Sequence, residues 1–141
     1  MDVEKLKLEL ERDEGFKSHG YRDSLGWLTI GIGRMIDERR GGGITKQEAF
    51  YLLDNDIRNV CKDLDDHMLW WRGQSDLRKR AITNMCFQMG IGKLLDFQKM
   101  LYSMQHGNYK QAAKEALDSN WAKQTPERAN RIAGMIEKGY D

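Results

Sequence analysis

The chain is short of proline, cysteine and histidine, with one, two and three residues of each among 141. Two cysteines and three scattered histidines offer no metal-ligand spacing, so no metal site and no cofactor is expected. Cys61 and Cys86 both fall in helical, apolar patterns, which favours free buried thiols over the one disulfide they could form. An excess of either charge is also missing: 23 basic residues stand against 22 acidic ones, for a net charge of +1. That excludes a nucleic-acid binder working through a global basic field, although a local basic patch stays open. No apolar run approaches the length of a membrane span, so no membrane insertion is expected. The segment Met1-Asp2-Val3-Glu4-Lys5 is charged and lacks a signal-peptide core, so no export route is expected from it.

Hydrophobic residues make up 40% of the chain, enough to build a core, and the charged 32% solvates the surface. The scarcity of proline, beside plentiful Ala, Leu, Lys, Glu and Met, leans the chain towards helix. Val3, Leu6 and Leu10 fall at helical spacing behind a possible cap at Asp2, and Gly15 is a natural stop. Glu14 therefore closes the first helix. From Phe16 to Gly43 glycines punctuate short runs, and Trp27-Leu28-Thr29-Ile30-Gly31-Ile32 reads as a strand of a small antiparallel sheet.

Thr45-Lys46-Gln47-Glu48 reads as a capping box. It opens a long helix carrying Ala49, Leu52, Leu53, Ile57, Val60 and Leu64. Trp70-Trp71-Arg72-Gly73 interrupts the pattern. Ser75 caps a helix that ends at Gly90, and another helix holds Leu94, Leu95, Phe97, Leu101 and Met104. Asn108 and Gln111 form a further cap pair, and Thr125-Pro126 starts the last helix. The expected class is α+β, a single domain over 1–141. A small sheet lobe covers about 12–45, a linking helix about 45–67, and a helical lobe about 68–141 with helix 1, leaving a cleft between the lobes.

Glu14, Asp23 and Thr29 come from different elements around that sheet. Glycoside hydrolysis needs two carboxyl groups, one to protonate the leaving oxygen and one to activate water or attack the sugar. On spacing alone most such pairs among 22 acids are solvated surface. Glu14 could simply pair with an Arg at a helix end, Asp23 could be an Asx-turn acid, and Thr29 an ordinary strand residue.

The stretch Arg12-Asp13-Glu14-Gly15-Phe16, continued by Tyr21-Arg22-Asp23-Ser24-Leu25-Gly26-Trp27-Leu28-Thr29-Ile30-Gly31-Ile32-Gly33, resembles the T-even phage lysozymes of glycoside hydrolase family 24. The likeness continues at Ile44-Thr45-Lys46 with Glu48-Ala49, at Asn84-Met85-Cys86-Phe87-Gln88-Met89-Gly90, and at Trp121 followed by Gln124-Thr125-Pro126-Glu127-Arg128-Ala129. The resemblance implies a lysozyme-like fold and cleavage of the β-1,4 bond between N-acetylmuramic acid and N-acetylglucosamine, with inversion. Glu14 matches the general acid, Asp23 the carboxylate on the opposite sugar face, and Thr29 the hydroxyl that positions water with it. A water between base and sugar requires carboxyl groups roughly 6.5–9.5 Å apart. Met35, Phe87 and Gln88 match cleft-lining positions, and Trp121 a residue packed near them. Gly31 supports the sheet where a glycan approaches closely. Arg128 matches an Arg that contacts the acid. A nearby cation opposes proton donation, so its expected work is to orient Glu14 and tie the last helix to the first.

The chain departs from the family after Ile36, where Gly41-Gly42-Gly43 replaces a longer sheet and loop. Arg34 stands where the relatives carry a His paired with an acid matched by Asp56, which predicts an Arg34–Asp56 ion pair. The partners implied are peptidoglycan glycan strands and a separately encoded holin, with the protein a monomer held in the host bacterial cytoplasm until lysis. Two other readings compete. A lytic transglycosylase needs an acid but no water-positioning Asp–Thr pair, and an inactive glycan-binding or tail-associated relic needs neither.

Overall fold

The computed structural model describes residues 1–141 and divides into two units, Met1–Tyr51 and Leu52–Asp141. The first unit holds helix 1 and the sheet. It opens with α1 (Val3–Glu14), capped by the Asp2 side chain, which accepts from the Lys5 N–H, and ended by Gly15 at φ 74°. None of its residues is buried.

Three strands follow in the order β1 (Lys17–Arg22), β2 (Leu28–Gly31) and β3 (Arg34–Met35), antiparallel throughout. The register pairs Tyr21 with Thr29 and Thr29 with Met35, and a bulge interrupts β1 between Lys17 and Tyr21. The expected strand over 27–32 is thus realised as 28–31, with Ile32 and Gly33 making the turn into β3. A short helical turn, Glu38–Arg40, is capped by Asp37 and ended by Gly41 in the left-handed region.

The long helix α2 (Lys46–His67) begins in the first unit and continues into the second. The Thr45 hydroxyl accepts from the Glu48 N–H at 3.1 Å, as a cap should. The reciprocal half of the expected box does not form, because the Glu48 carboxylate turns to Arg34 instead. The expected apolar face is only partly used: Leu64 is buried, Leu53 and Val60 are half-buried, and Ala49, Leu52 and Ile57 are exposed.

The second unit is helical: α3 (Asp76–Met89), α4 (Ile91–Leu95), α5 (Gln98–Gln105), α6 (Tyr109–Leu117), α7 (Asn120–Gln124) and α8 (Pro126–Lys138). Its core gathers Leu64, Trp71, Ile82, Met85, Leu94, Met104 and Ile132 with a set of small alanines. Those alanines, Ala112, Ala113, Ala116, Ala129 and Ala133, let α6 and α8 approach closely while burying apolar surface. The single helix expected across Leu94–Met104 is two, broken at Asp96–Phe97, and α7 lies where no helix was expected. Ser75 and Asn108 cap α3 and α6 as the sequence implies. Gln111, however, donates its side chain to Glu115 rather than completing a cap pair. Thr125 starts α8 through Pro126 alone, since its hydroxyl donates to the Trp121 carbonyl.

Candidate active site

Glu14, Asp23 and Thr29 all belong to the first unit, and local backbone chemistry sets each of them. Glu14 is the last residue of α1, and Gly15, at a φ that favours glycine, turns the chain away behind it. Its side chain lies over Gly33 in the turn between β2 and β3: a Cβ added at Gly33 would sit 3.0 Å from Glu14 Oε2 and 3.1 Å from its carboxyl carbon. Arg12, the nearest cation in sequence, pairs with Asp13 at 3.2 Å. Glu14 therefore lies over the glycine turn and is not paired with the helix-end arginine.

Asp23 sits in the turn joining β1 to β2. Its Oδ1 accepts from the N–H groups of Leu25 and Trp27, each at 2.9 Å. Its own N–H donates to the Trp27 carbonyl at 2.9 Å, which extends the β1–β2 pairing by one step. Asp23 is thus an Asx-turn acid, and the same bonds fix its carboxylate in space. Thr29 is buried, and its hydroxyl donates to the Trp27 carbonyl at 3.2 Å. Asp23 faces Trp27 across the ladder and Thr29 lies two residues beyond Trp27, so strand periodicity puts Asp23 and Thr29 on one face as diagonal neighbours.

Asp37 is the residue that the sequence reading missed. It is 2% exposed, and its Oδ2 accepts from the Leu28 N–H at 2.9 Å, anchoring the start of β2. Arg39 grips it with two side-chain bonds, Nε to Oδ1 at 2.9 Å and Nη2 to Oδ2 at 2.7 Å. Hydrogen bonding from Arg39, then from the Leu28 N–H, holds its carboxyl well below the usual carboxylate range. The sequence did carry a signal: an Asp followed by Glu-Arg-Arg-Gly is a capped helical turn closed by glycine.

Arg34 overturns one expectation. Its guanidinium donates to Glu48 Oε2 at 2.6 Å, and Asp56 is exposed on α2, where a carboxylate needs no protein partner. Met35 is half-buried on β3 opposite Thr29, and its carbonyl accepts from the Gly43 N–H at 3.0 Å. Gly42 packs against Met35 so closely that no larger residue fits without movement. Gly31 sits at φ 68°, with open space where a side chain would project.

The remaining candidates belong to the second unit. An open groove of about 790 Å³ is lined by Gln88, Met89, Phe97, Glu115, Ser119 and Trp121, among others. Trp121 Nε1 donates to Gln88 Oε1 at 2.9 Å, and its ring meets Phe97 edge-on at 6.0 Å. Trp121 therefore orients Gln88 while packing into the wall. Phe87 is exposed on α3. Arg128 donates to Asn84 twice, to the side-chain oxygen at 2.9 Å and the carbonyl at 3.3 Å. No group of three His, Cys, Asp or Glu side chains is placed to hold a metal ion.

The family described as phage lysozyme matches residues 11–139. This chain belongs to the phage lysozyme family. Among similar proteins, probable T4-type lysozyme 1 of Dictyostelium discoideum is 31% identical over 97% of this chain and 96% of that protein. Pre-baseplate central spike protein Gp5 of Enterobacteria phage T4 is 32% identical over 92% of this chain but only 27% of that protein. Peptidoglycan hydrolase gp36 of Pseudomonas phage phiKMV is 23% identical over 99% of this chain and 16% of that protein. As a phage lysozyme with relatives of these kinds, the chain is a glycoside hydrolase, a lysozyme-like enzyme that acts on peptidoglycan.

Proposed function

We propose that the enzyme hydrolyses the β-1,4 bond between N-acetylmuramic acid and N-acetylglucosamine with inversion, using Glu14 as proton donor and Asp23 with Thr29 to hold the attacking water. The observation that carries this reading is the shared face of Asp23 and Thr29 on a sheet whose glycine turn also receives the Glu14 carboxyl. Asp23 Oδ1 is taken by two backbone N–H groups, which leaves Oδ2 to accept from water. The Thr29 hydroxyl donates to the Trp27 carbonyl and keeps lone pairs for the same water. In an inverting reaction that water attacks the anomeric carbon as the Glu14 proton passes to the leaving oxygen.

Gln88, held by Trp121, is the second unit's candidate substrate contact, and Met35 and Phe87 are candidate apolar contacts for the glycan. Arg128 is a supporting residue through Asn84. The same reading has the enzyme act as a monomer that is made in the host cytoplasm and reaches the wall through a separately encoded holin, ending in host lysis. This lysis role is inferred from the family. A tail-associated enzyme is the second reading, prompted by the relative named as a baseplate spike protein.

The test is digestion of purified peptidoglycan by the wild type and by Glu14→Gln, with mass analysis of the product ends. Reducing N-acetylmuramic acid ends, lost in the variant, support a muramidase using Glu14. Anhydro ends assign lytic transglycosylation instead, and folded but inactive wild type removes the catalytic reading.

A further inference from the structure

Three arginines converge on the turn that carries Asp23. Arg22 Nη1 donates to the Gly26 carbonyl at 3.0 Å, and Arg39 Nη2 donates to the same oxygen at 3.2 Å. The guanidinium carbons of Arg39 and Arg40 lie 4.6 Å and 5.3 Å from the centroid of the Trp27 ring. All three arginines are exposed. Of the carboxylates nearby in sequence, Asp37 is buried and already committed to Arg39 and the Leu28 N–H, Asp23 is bonded through Oδ1 to its own turn, and Glu38 forms no ion pair. Neither Arg22 nor Arg40 forms an ion pair with any carboxylate of the chain.

Three guanidiniums gathered at one turn raise the local positive potential, which favours an anion there. Like charges gathered on one carbonyl and one ring repel, and ion pairing relieves only Arg39. Arg40, whose guanidinium makes no hydrogen bond within the chain, keeps its N–H edge free beside the Trp27 ring, and that edge matches a planar oxyanion with two hydrogen bonds, whereas Arg39 spends Nε and Nη2 on Asp37 and the Gly26 carbonyl. Gly26, at φ 83° with no heavy atom near its Cβ direction, leaves the approach open. On the reading of the enzyme as a muramidase, the bond to be cut is held beside this turn. In peptidoglycan, N-acetylmuramic acid residues bear peptide stems, and stems carry carboxylates. We propose that Arg22 and Arg40, on a turn that Arg39 braces through Asp37 and the Gly26 carbonyl, form an oxyanion subsite that receives a stem carboxylate of the glycan strand being cleaved, and so set a preference for strands with negatively charged stems.

The test compares native peptidoglycan with the same material whose stem carboxylates have been converted to amides by carbodiimide and ammonium. The expected result is that amidation raises KM about tenfold for the wild type, equivalent to losing one charge-assisted contact, with little change in kcat. In Arg40→Gln the penalty for amidation should shrink towards none, Arg22→Gln should act likewise, and Arg40→Lys should keep part of it. Added salt should raise KM on native material more for the wild type than for Arg40→Gln. A merely structural arginine would shift thermal stability and change both substrates alike, and that outcome overturns the proposal. So does a wild type indifferent to amidation. So does an amidation penalty that Arg40→Gln retains, or one found only on walls that keep their phosphodiester polymers, which would assign phosphate instead. If neither substrate is cut by the wild type, the muramidase reading fails first and is recognised by that result.

Discussion

The carboxyl of Glu14 lies against the α-carbon of Gly33, where even a methyl group would come within 3.0 Å of its Oε2. Gly33 is at φ 67° and Gly31 at φ 68°, yet a Cβ at Gly31 would meet nothing within 4 Å. The two positions separate backbone strain from displacement of the acid. Gly31→Ala and Gly33→Ala should each cost about 1–2 kcal/mol of stability, the cost of a left-handed conformation for a residue with a side chain. With Glu14 as the proposed acid, only Gly33→Ala should also lose activity, by less than the ~10²-fold that a roughly 1 Å misplacement of a reacting group costs, since the carboxyl must give by only a fraction of that distance. Thermal melts and turnover on purified walls read the two effects separately. Equal activity losses in both variants would show that the turn, and not the acid, is what Gly33 protects.

Asp37 makes the first unit sensitive to acid. Its folded carboxyl titrates well below the usual range because Arg39 and the Leu28 N–H bond to the charged form. A depressed folded value contributes stability that is complete above the ordinary carboxylate pKa of about 4. It is lost as pH falls from there towards the folded value. Asp37→Asn should therefore be less stable than the wild type at neutral pH, and the gap should close as pH drops below that of a free carboxylate. Melts of both proteins across that window, followed by circular dichroism, check it. A gap that widens in acid would mean that the group stabilises the fold in its protonated form.

Much of the first unit was legible because its signals are local. Asp2, Gly15 and Thr45 cap or stop helices by bonds to neighbours three or four residues away, and the alternation around Thr29 needs only a strand's period of two. What was not legible depends on which of several near-equal partners a side chain chooses. Arg34 had acids available at Glu48 and Asp56, and sequence distance does not decide between them. Asp37 is buried because Leu28, nine residues earlier, offers an unpaired N–H, a fact of tertiary placement. The break at Asp96–Phe97 has no glycine or proline to announce it: Phe97 turns its ring to Trp121, and that contact wins over helical continuity. Among the candidate site residues, Glu14, Asp23 and Thr29 stood out through their motif, whereas the arginines at the Gly26–Trp27 turn come from 22, 39 and 40.

The two cysteines should differ sharply in reactivity. Cys86 is buried in the second unit's core, and burial, with the nearby Asp63 and Cys61, pushes its thiol up to about 11. Thiolate is the reacting form, so Cys86 should be inert in the folded protein at pH 8. Cys61 is half-buried and free, and should take the label first. Mass analysis after iodoacetamide should show one slow modification at Cys61 in the native protein and two in denaturant. Two rapid modifications in the native protein would place Cys86 on a segment that opens readily.

The start of α2 offers a test of how a sequence motif is actually used. Thr45-Lys46-Gln47-Glu48 has the form of a reciprocal capping box, but only the Thr45 half is made, and Glu48 pairs with Arg34 at 2.6 Å. Thr45→Ala should cost about 1 kcal/mol, the usual worth of a side-chain cap. Glu48→Gln should cost less than about 1 kcal/mol, since its ion pair is half exposed and screened by solvent. If the box were closed, the two residues would share one hydrogen-bonded unit and their effects would not add. Because it is open, the double variant should equal the sum of the singles to within about 0.5 kcal/mol. In a second cycle, Arg34→Ala should instead couple to Glu48→Gln, and high salt should erase that coupling. Urea melts of the two cycles decide the matter. Coupling between Thr45 and Glu48 that persists in high salt would mean that the box closes in solution and that the Arg34 pair is the alternative, not the resting, arrangement.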